Sequence, residues 1–231
     1  MKEALQPETE SEIKNKTTKW QGSSVSAREG QGWDKKKEMD FTYTNIDKFI
    51  RWSLGENPIF SNAKYDGDYS LTLDQAQIRK HEFVVEQLGI KQGSKILDLG
   101  CGWGGWLKYL KDTVKAHGIG VNLSEGQVAA CKKNGLEVYL KDARYIKPED
   151  FGTFDGVTAF GSFEHVASVN DYLAGKQDEV YADYFKHVYD LLPPGGRFYM
   201  QTMVFGKNMI PFDQIDINAP RDQMLMYLPC C

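Results

Sequence analysis

Residues 95–105, Lys-Ile-Leu-Asp-Leu-Gly-Cys-Gly-Trp-Gly-Gly, constrain this chain more than any other stretch. Ile96, Leu97 and Leu99 form a short apolar run, the mark of a strand buried on both faces. The run carries Asp98 near its end and closes in a burst of glycines, after which Trp106-Leu107-Lys108-Tyr109-Leu110 resumes at helical spacing. Strand, glycine turn and helix together make a cradle for a nucleotide-like ligand. Glycine admits the left-handed backbone and a close approach, and the start of the following helix offers unpaired N–H groups. A glycine turn without a ligand would cost backbone entropy and bring no packing gain.

Gly100 to Gly105 fit G-x-G-x-x-G, the dinucleotide fingerprint, which is a weak signal by itself. A dinucleotide site also wants an acid about 20 residues on, at the end of the next strand, to hold a ribose. The next strand here, Gly118-Ile119-Gly120-Val121, ends in Asn122. With Asp98 in front, the loop reads D-x-G-x-G-x-G, which resembles motif I of the class I S-adenosylmethionine-dependent methyltransferases. The resemblance favours a methyl donor over a nicotinamide cofactor.

At 231 residues the chain can bury one sizeable core and little more. A net charge of −4 argues against nucleic acid as a partner, since phosphate binding wants a basic face. Cys101, Cys131, Cys230 and Cys231 form no C-x-x-C pair, so no metal site is expected. Cys101 and Cys131 read as reduced thiols of a cytoplasmic protein. The N-terminus lacks the apolar run of a signal peptide, and no stretch approaches 18 apolar residues.

Residues 1–40 are polar and read as a mobile tail, although Trp20 and Trp33 are unusual there. Residues 41–92 read as a helical lid or cap segment. In it Ile46, Phe49, Ile50 and Leu54 lie at helical spacing, flanked by Lys48 and Arg51. Such a helix can pack on the core, cover a site or make transient contact with a membrane surface. Thr72 and Gln75 form a capping-box pattern for a helix over 73–88, with Ile78, Phe83, Val84 and Leu88 as its apolar face and Gly89 as its stop.

The α/β core spans 93–205. Strands are expected at 95–99, 117–122, 136–140, 154–160 and 197–204, with helices at 103–113, 124–134 and 176–192, Ser124 standing near the cap of the second. This alternation implies a doubly wound, mostly parallel, Rossmann-like sheet, with the glycine loop at its carboxyl edge where ligands bind. Class I methyltransferases resemble this pattern but complete the sheet with two further strands. Residues 206–231 are too few for them, so the C-terminal segment is expected to be truncated relative to the family. The fifth strand is then a free edge, and a covering element or a second copy in a homodimer is expected over it.

Three further segments sharpen the resemblance. Leu73-Asp74-Gln75-Ala76-Gln77, the glycine loop, Asn122-Leu123-Ser124-Glu125-Gly126-Gln127 and Phe163-Glu164-His165-Val166 together resemble the cyclopropane-fatty-acid synthase family of methyltransferases over residues 45–205. The family also includes enzymes that methylate amines. The resemblance implies S-adenosylmethionine as cofactor, with Asp98, Gly100, Gly102 and Gly104 at its methionine end. It places Phe60 and Ser61 near the cofactor carboxylate, where the family has Tyr-Ser. Asn122 and Gln127 fall at the ribose and adenosine, and Asp142 and Ala143 beside the adenine.

In the cyclopropane synthases a Glu, a Cys and a His help to hold a bicarbonate that acts as base. Their positions here are Glu164, Asn62 and Gln201. Two of the three groups are therefore changed, so the resemblance supports methyl transfer more firmly than ring closure, which needs a base after the transfer. His165 is a further candidate base. Phe60, Tyr65, Phe160 and Phe163 are candidate aromatic walls for a developing cation, or ordinary core.

The first expectation is C-methylation of an unsaturated fatty acyl chain or similar apolar acceptor. Alternatives are amine N-methylation and a non-catalytic module that binds cofactor or a partner.

Overall fold

The computed structural model describes residues 43, 49–50, 52–54 and 58–204. The expected tail over 1–40, most of the helix over 44–54 and the segment 206–231 lie outside the described residues. Residues 49–50 and 52–54 are helical, and there Ile50 and half-buried Leu54 pack with Trp103, Ala130 and Tyr43. Among the described residues no helix is long and apolar enough to cross a membrane.

Helix α1, Leu73–Leu88, begins at the expected capping box. The Thr72 hydroxyl accepts from the Gln75 N–H at 3.3 Å, and the Gln75 side chain accepts from the Thr72 N–H at 2.8 Å. Gly89 ends the helix in the left-handed conformation, φ 65°. Removing this cap by Thr72→Ala is expected to cost about 1 kcal/mol and to lower the melting temperature by about 2–4 °C, measured by thermal denaturation.

The buried side of α1 differs from the apolar stripe expected. Ala76, Gln77, Lys80, His81 and Val84 are buried, Phe83 and Leu88 are half-buried, and Ile78 is exposed. The spacing is helical, but the inward positions are largely polar, and each of those polar groups has work at the site described below.

Five strands follow: β1 (Lys95–Leu99), β2 (His117–Asn122), β3 (Glu137–Leu140), β4 (Gly156–Phe160) and β5 (Arg197–Gln201). All neighbours pair in parallel, in the order β3-β2-β1-β4-β5. The expected fifth strand is shorter than its apolar run, because residues 202–204 leave the ladder. Its outer edge has no strand partner among the described residues.

Helix α2 is shorter than expected, Gly105–Tyr109, and widens into a π-turn over Leu110–Val114. Helix α3 runs Glu125–Lys133 under the Ser124 cap. Two short helices escaped the pattern, α4 (Pro148–Phe151) and α5 (Val169–Leu173), as did 3-10 turns at Ala143–Tyr145 and Phe163–His165. Helix α6 covers Gln177–Asp190.

Side chains along each strand alternate between the two faces. Leu97, Leu99, Val157, Ala159, Phe198 and Met200 pack with Tyr184 and Val188 of α6. Ile96, Phe160 and Tyr199 pack on the other face with α1, α2 and α3. Asp98 and Thr158 belong by parity to this second face. That single fact places a carboxylate beneath the polar side of α1.

Candidate functional site

β1 and β4 are neighbours whose following loops diverge, which opens a crevice at their carboxyl ends. Asp98 lies at the floor of this crevice, 2% exposed. It is paired in register with Thr158, whose hydroxyl stands 2.9 Å from its Oδ1. The Trp106 indole N–H donates to Thr158 Oγ1 at 3.1 Å, so the hydroxyl receives one hydrogen bond and passes one on. Burial pushes the Asp98 carboxyl up to about 7, against the opposing effects of Thr158 and the Lys80 charge.

Lys80, also 2% exposed, reaches in from α1. Its ammonium donates to Ser61 Oγ at 2.7 Å and lies 5.2 Å from the centre of the Phe160 ring. Burial brings it down to about 8, with Asp98 resisting. His81 is packed between Trp106 and Tyr109, with ring centroids 5.1 and 4.9 Å away. Burial, helped by the Lys80 charge, holds it down to about 3, so the ring is neutral.

Among the glycines of the loop the environments differ sharply. Gly100 has φ 82°, and a Cβ there would collide with Ser162, whose hydroxyl is fastened to the Leu99 carbonyl at 2.6 Å. Gly102 has φ 53°, and a Cβ there would meet nothing within 4 Å. Gly102 thus presents bare backbone to open space. Gly104 is turned to the core: a Cβ would stand 2.5 Å from Leu136 Cδ1.

The remaining expected cofactor residues are placed as follows. Asn122 ends β2, and its amide donates to the Gly102 carbonyl at 3.1 Å and to Gln127 Oε1 at 2.7 Å. Gln127 is 3% exposed, so this pair braces the glycine loop from behind. Asp142 caps the turn that holds Ala143 and grips Arg144 through both carboxylate oxygens. Phe60 is 61% exposed. Ser61 sits against Gly161, the residue after β4, and hence at the crevice.

Glu164 follows β4, and Gln201 ends β5 beside Asn62. Gln201 Nε2 donates to the Asn62 main-chain carbonyl at 2.9 Å, and Glu164 Oε1 accepts from the Met203 N–H at 2.6 Å. Gln201 Oε1 and Glu164 Oε2 are buried and have no hydrogen-bond partner among the described residues. The Asn62 side chain is exposed, so it is the backbone at this position that joins the cluster. His165 Nε2 lies 3.4 Å from the Tyr43 hydroxyl. Of the candidate aromatic walls, Phe163 stacks on Tyr181 in the core, Phe160 underlies Lys80 and Tyr65 stacks on Tyr69.

Sequence reading missed Gln77, Lys80 and Thr158. Gln77 Nε2 donates to the carbonyls of Ile59 and Ser61, at 3.3 and 2.9 Å, and so ties the segment 59–61 to α1. The signal was available for the helix: Lys80 and His81 stand one turn from Val84 and Gln77 two turns, all sharing its phase.

The sheet order, the glycine loop and the buried acid define a class I S-adenosylmethionine-dependent methyltransferase domain. More narrowly, the chain belongs to the mycolic acid cyclopropane synthetase family, whose model matches residues 32–215. It is 31% identical over 169 residues to cyclopropane mycolic acid synthase 2 of Mycobacterium leprae, covering 70% of this chain and 54% of that protein. It is 26% identical over 172 residues to the S-adenosylmethionine-dependent methyltransferase UmaA of Mycobacterium tuberculosis, covering 73% of this chain and 56% of that one. The solved structure of the cyclopropane synthase MmaA2 from M. tuberculosis superposes with a TM-score of 0.62 at 24% identity, over 74% of this chain and 58% of that chain. The chain spans about half the length of the curated relatives it matches.

The residues present fit the cofactor. Asp98 offers an anion for its ammonium, the bare backbone at Gly102 leaves space beside it, and Ser61 with Lys80 offers donors for its carboxylate.

Proposed function

We infer that this protein transfers a methyl group from S-adenosylmethionine to an apolar acceptor, with an unsaturated acyl chain as the first candidate. The observation that carries the reading is the open backbone at Gly102 in the loop that follows the buried Asp98, at the divergence of β1 and β4. The cofactor supplies an electrophilic methyl on a sulfonium. Transfer disperses charge already present, so the protein's task is mainly alignment in a dry site. The acyl acceptor is supported by family membership and by the name of the M. leprae relative.

A second reading, amine N-methylation, has its own observation. Glu164 Oε2 and Gln201 Oε1 are acceptors only, and the Gln201 amide is oriented by its bond to Asn62. Two buried acceptors without a partner among the described residues suit a substrate that brings N–H donors. Labelled cofactor incubated with acyl phospholipids and with a panel of amines separates the two readings.

In both, Glu164 faces the reacting group. Glu164→Gln is expected to lower turnover by about 100-fold or more with S-adenosylhomocysteine affinity unchanged. Unaltered turnover would remove Glu164 from the chemistry. The same reading places the protein in the cytoplasm, meeting a lipid acceptor at a membrane surface, with a second copy over the free edge of β5. Light scattering tests that association.

A further inference from the structure

We propose that Lys80 is the positioning residue for the cofactor's α-carboxylate, acting by holding the Ser61 hydroxyl as a hydrogen-bond donor. The proposal rests on the S-adenosylmethionine reading above and adds to it a residue from outside the α/β core.

An ammonium has three donors and no acceptor. The 2.7 Å contact between Lys80 Nζ and Ser61 Oγ therefore has one sense: lysine donates and serine accepts. The serine hydrogen is left over, and it has no acceptor among the described residues. Ser61 lies against Gly161 at the mouth of the β1–β4 crevice. Its main-chain carbonyl is clamped by Gln77 at 2.9 Å, with Lys80 Nζ 3.5 Å away. The hydroxyl is thus fixed in place, polarised by a buried cation and free to donate.

Such a donor suits an anion. Across the crevice floor Asp98 suits a cation. An α-amino acid carries both, one carbon apart, and S-adenosylmethionine ends in an α-amino acid. The two buried charges, one from α1 and one from β1, form a complementary pair for that end of the molecule. Parity along β1 and β4 puts Asp98 and Thr158 on the face that α1 covers, which is why a helix outside the Rossmann-like unit can reach the ligand.

The test compares two ligands that differ only at that end. S-adenosylhomocysteine carries the amino-acid tail and 5′-methylthioadenosine lacks it. Calorimetric titration of the full chain is expected to show Lys80→Met weakening the first by about 10- to 100-fold and leaving the second unchanged. Ser61→Ala should behave alike, Ser61→Thr should retain affinity, and the double variant should be no weaker than the worse single, because the two residues act as a unit.

Equal loss for both ligands would assign Lys80 to general packing and overturn the proposal, as would undiminished affinity for S-adenosylhomocysteine. Should Lys80→Met fail to fold, Lys80→Gln decides on the same two ligands, because it removes the ammonium that holds Ser61 while keeping a polar group: selective weakening of S-adenosylhomocysteine supports the proposal, and an equal or absent effect overturns it. A wild-type protein that binds neither ligand would instead overturn the cofactor reading itself.

Discussion

Asp98→Asn is expected to weaken S-adenosylhomocysteine binding by about 100-fold or more at pH 8 and to erase the loss of affinity that sets in below about pH 7. Asparagine keeps an oxygen for Thr158, so the Trp106–Thr158–Asp98 chain of hydrogen bonds keeps its acceptor and the floor of the crevice keeps its shape. What is lost is the negative charge that faces the ligand's ammonium. In the wild type the sign follows from the raised pKa of Asp98. Burial carries Asp98 to about 7, so the charged form dominates above that pH and is progressively lost below it. Affinity should therefore fall as pH drops, by about tenfold for each unit below the midpoint, and fall again above about pH 8, where buried Lys80 loses its proton. Titrations between about pH 6 and 8.5 check this. A flat wild-type profile would mean that Asp98 does not hold the ammonium.

The second large effect separates two glycines that stand one residue apart. Gly100→Ala combines a left-handed backbone with a collision against a serine tied to β1. Strain of about 1–2 kcal/mol and overpacking of about 1–3 kcal/mol should together lower the melting temperature by about 4–20 °C. Gly102→Ala meets nothing within 4 Å, so it should cost only the strain, about 1 kcal/mol. Its methyl group would project into the space assigned to the cofactor. The expected result is a nearly normal thermal transition with binding of S-adenosylhomocysteine lost. If Gly102→Ala bound as well as the wild type, the open backbone at 102 would face something other than the cofactor.

The parts of this fold that were legible from residue order are those where one physical demand dominates. The apolar run over 95–99, the glycine loop, the Ser124 cap and the Thr72–Gln75 capping box each satisfy a local rule, and each stands where it was expected. The polar inner face of α1 was not legible in this way. Hydrophobic periodicity selected Ile78, whereas burial selected Gln77, Lys80 and His81, because a segment with unpaired carbonyls and a hydroxyl needs donors. Nothing in residues 73–88 alone announces that need. It comes from residues 59–61, more than a dozen positions away. The site shows the same contrast. Glu164 and Gln201 were singled out by resemblance, but that their outer oxygens are buried and unpaired is a property of packing. Likewise, the Asn122 amide donates to Gln127 and so braces the loop, a partnership that five residues of separation does not reveal.

The anchoring of residues 59–62 has a consequence for how readily this protein can change its choice of substrate. Gln77 holds Ile59 and Ser61, and Gln201 holds Asn62, entirely through main-chain carbonyls. No side chain at 60 or 62 takes part, and both project outward. The position of the segment is therefore independent of what residues 60 and 62 are. On the proposed reading they form a small interchangeable surface beside the cofactor crevice, mounted on a fixed rail, where acceptor recognition could be rewritten while the seat proposed for the methyl donor stays undisturbed.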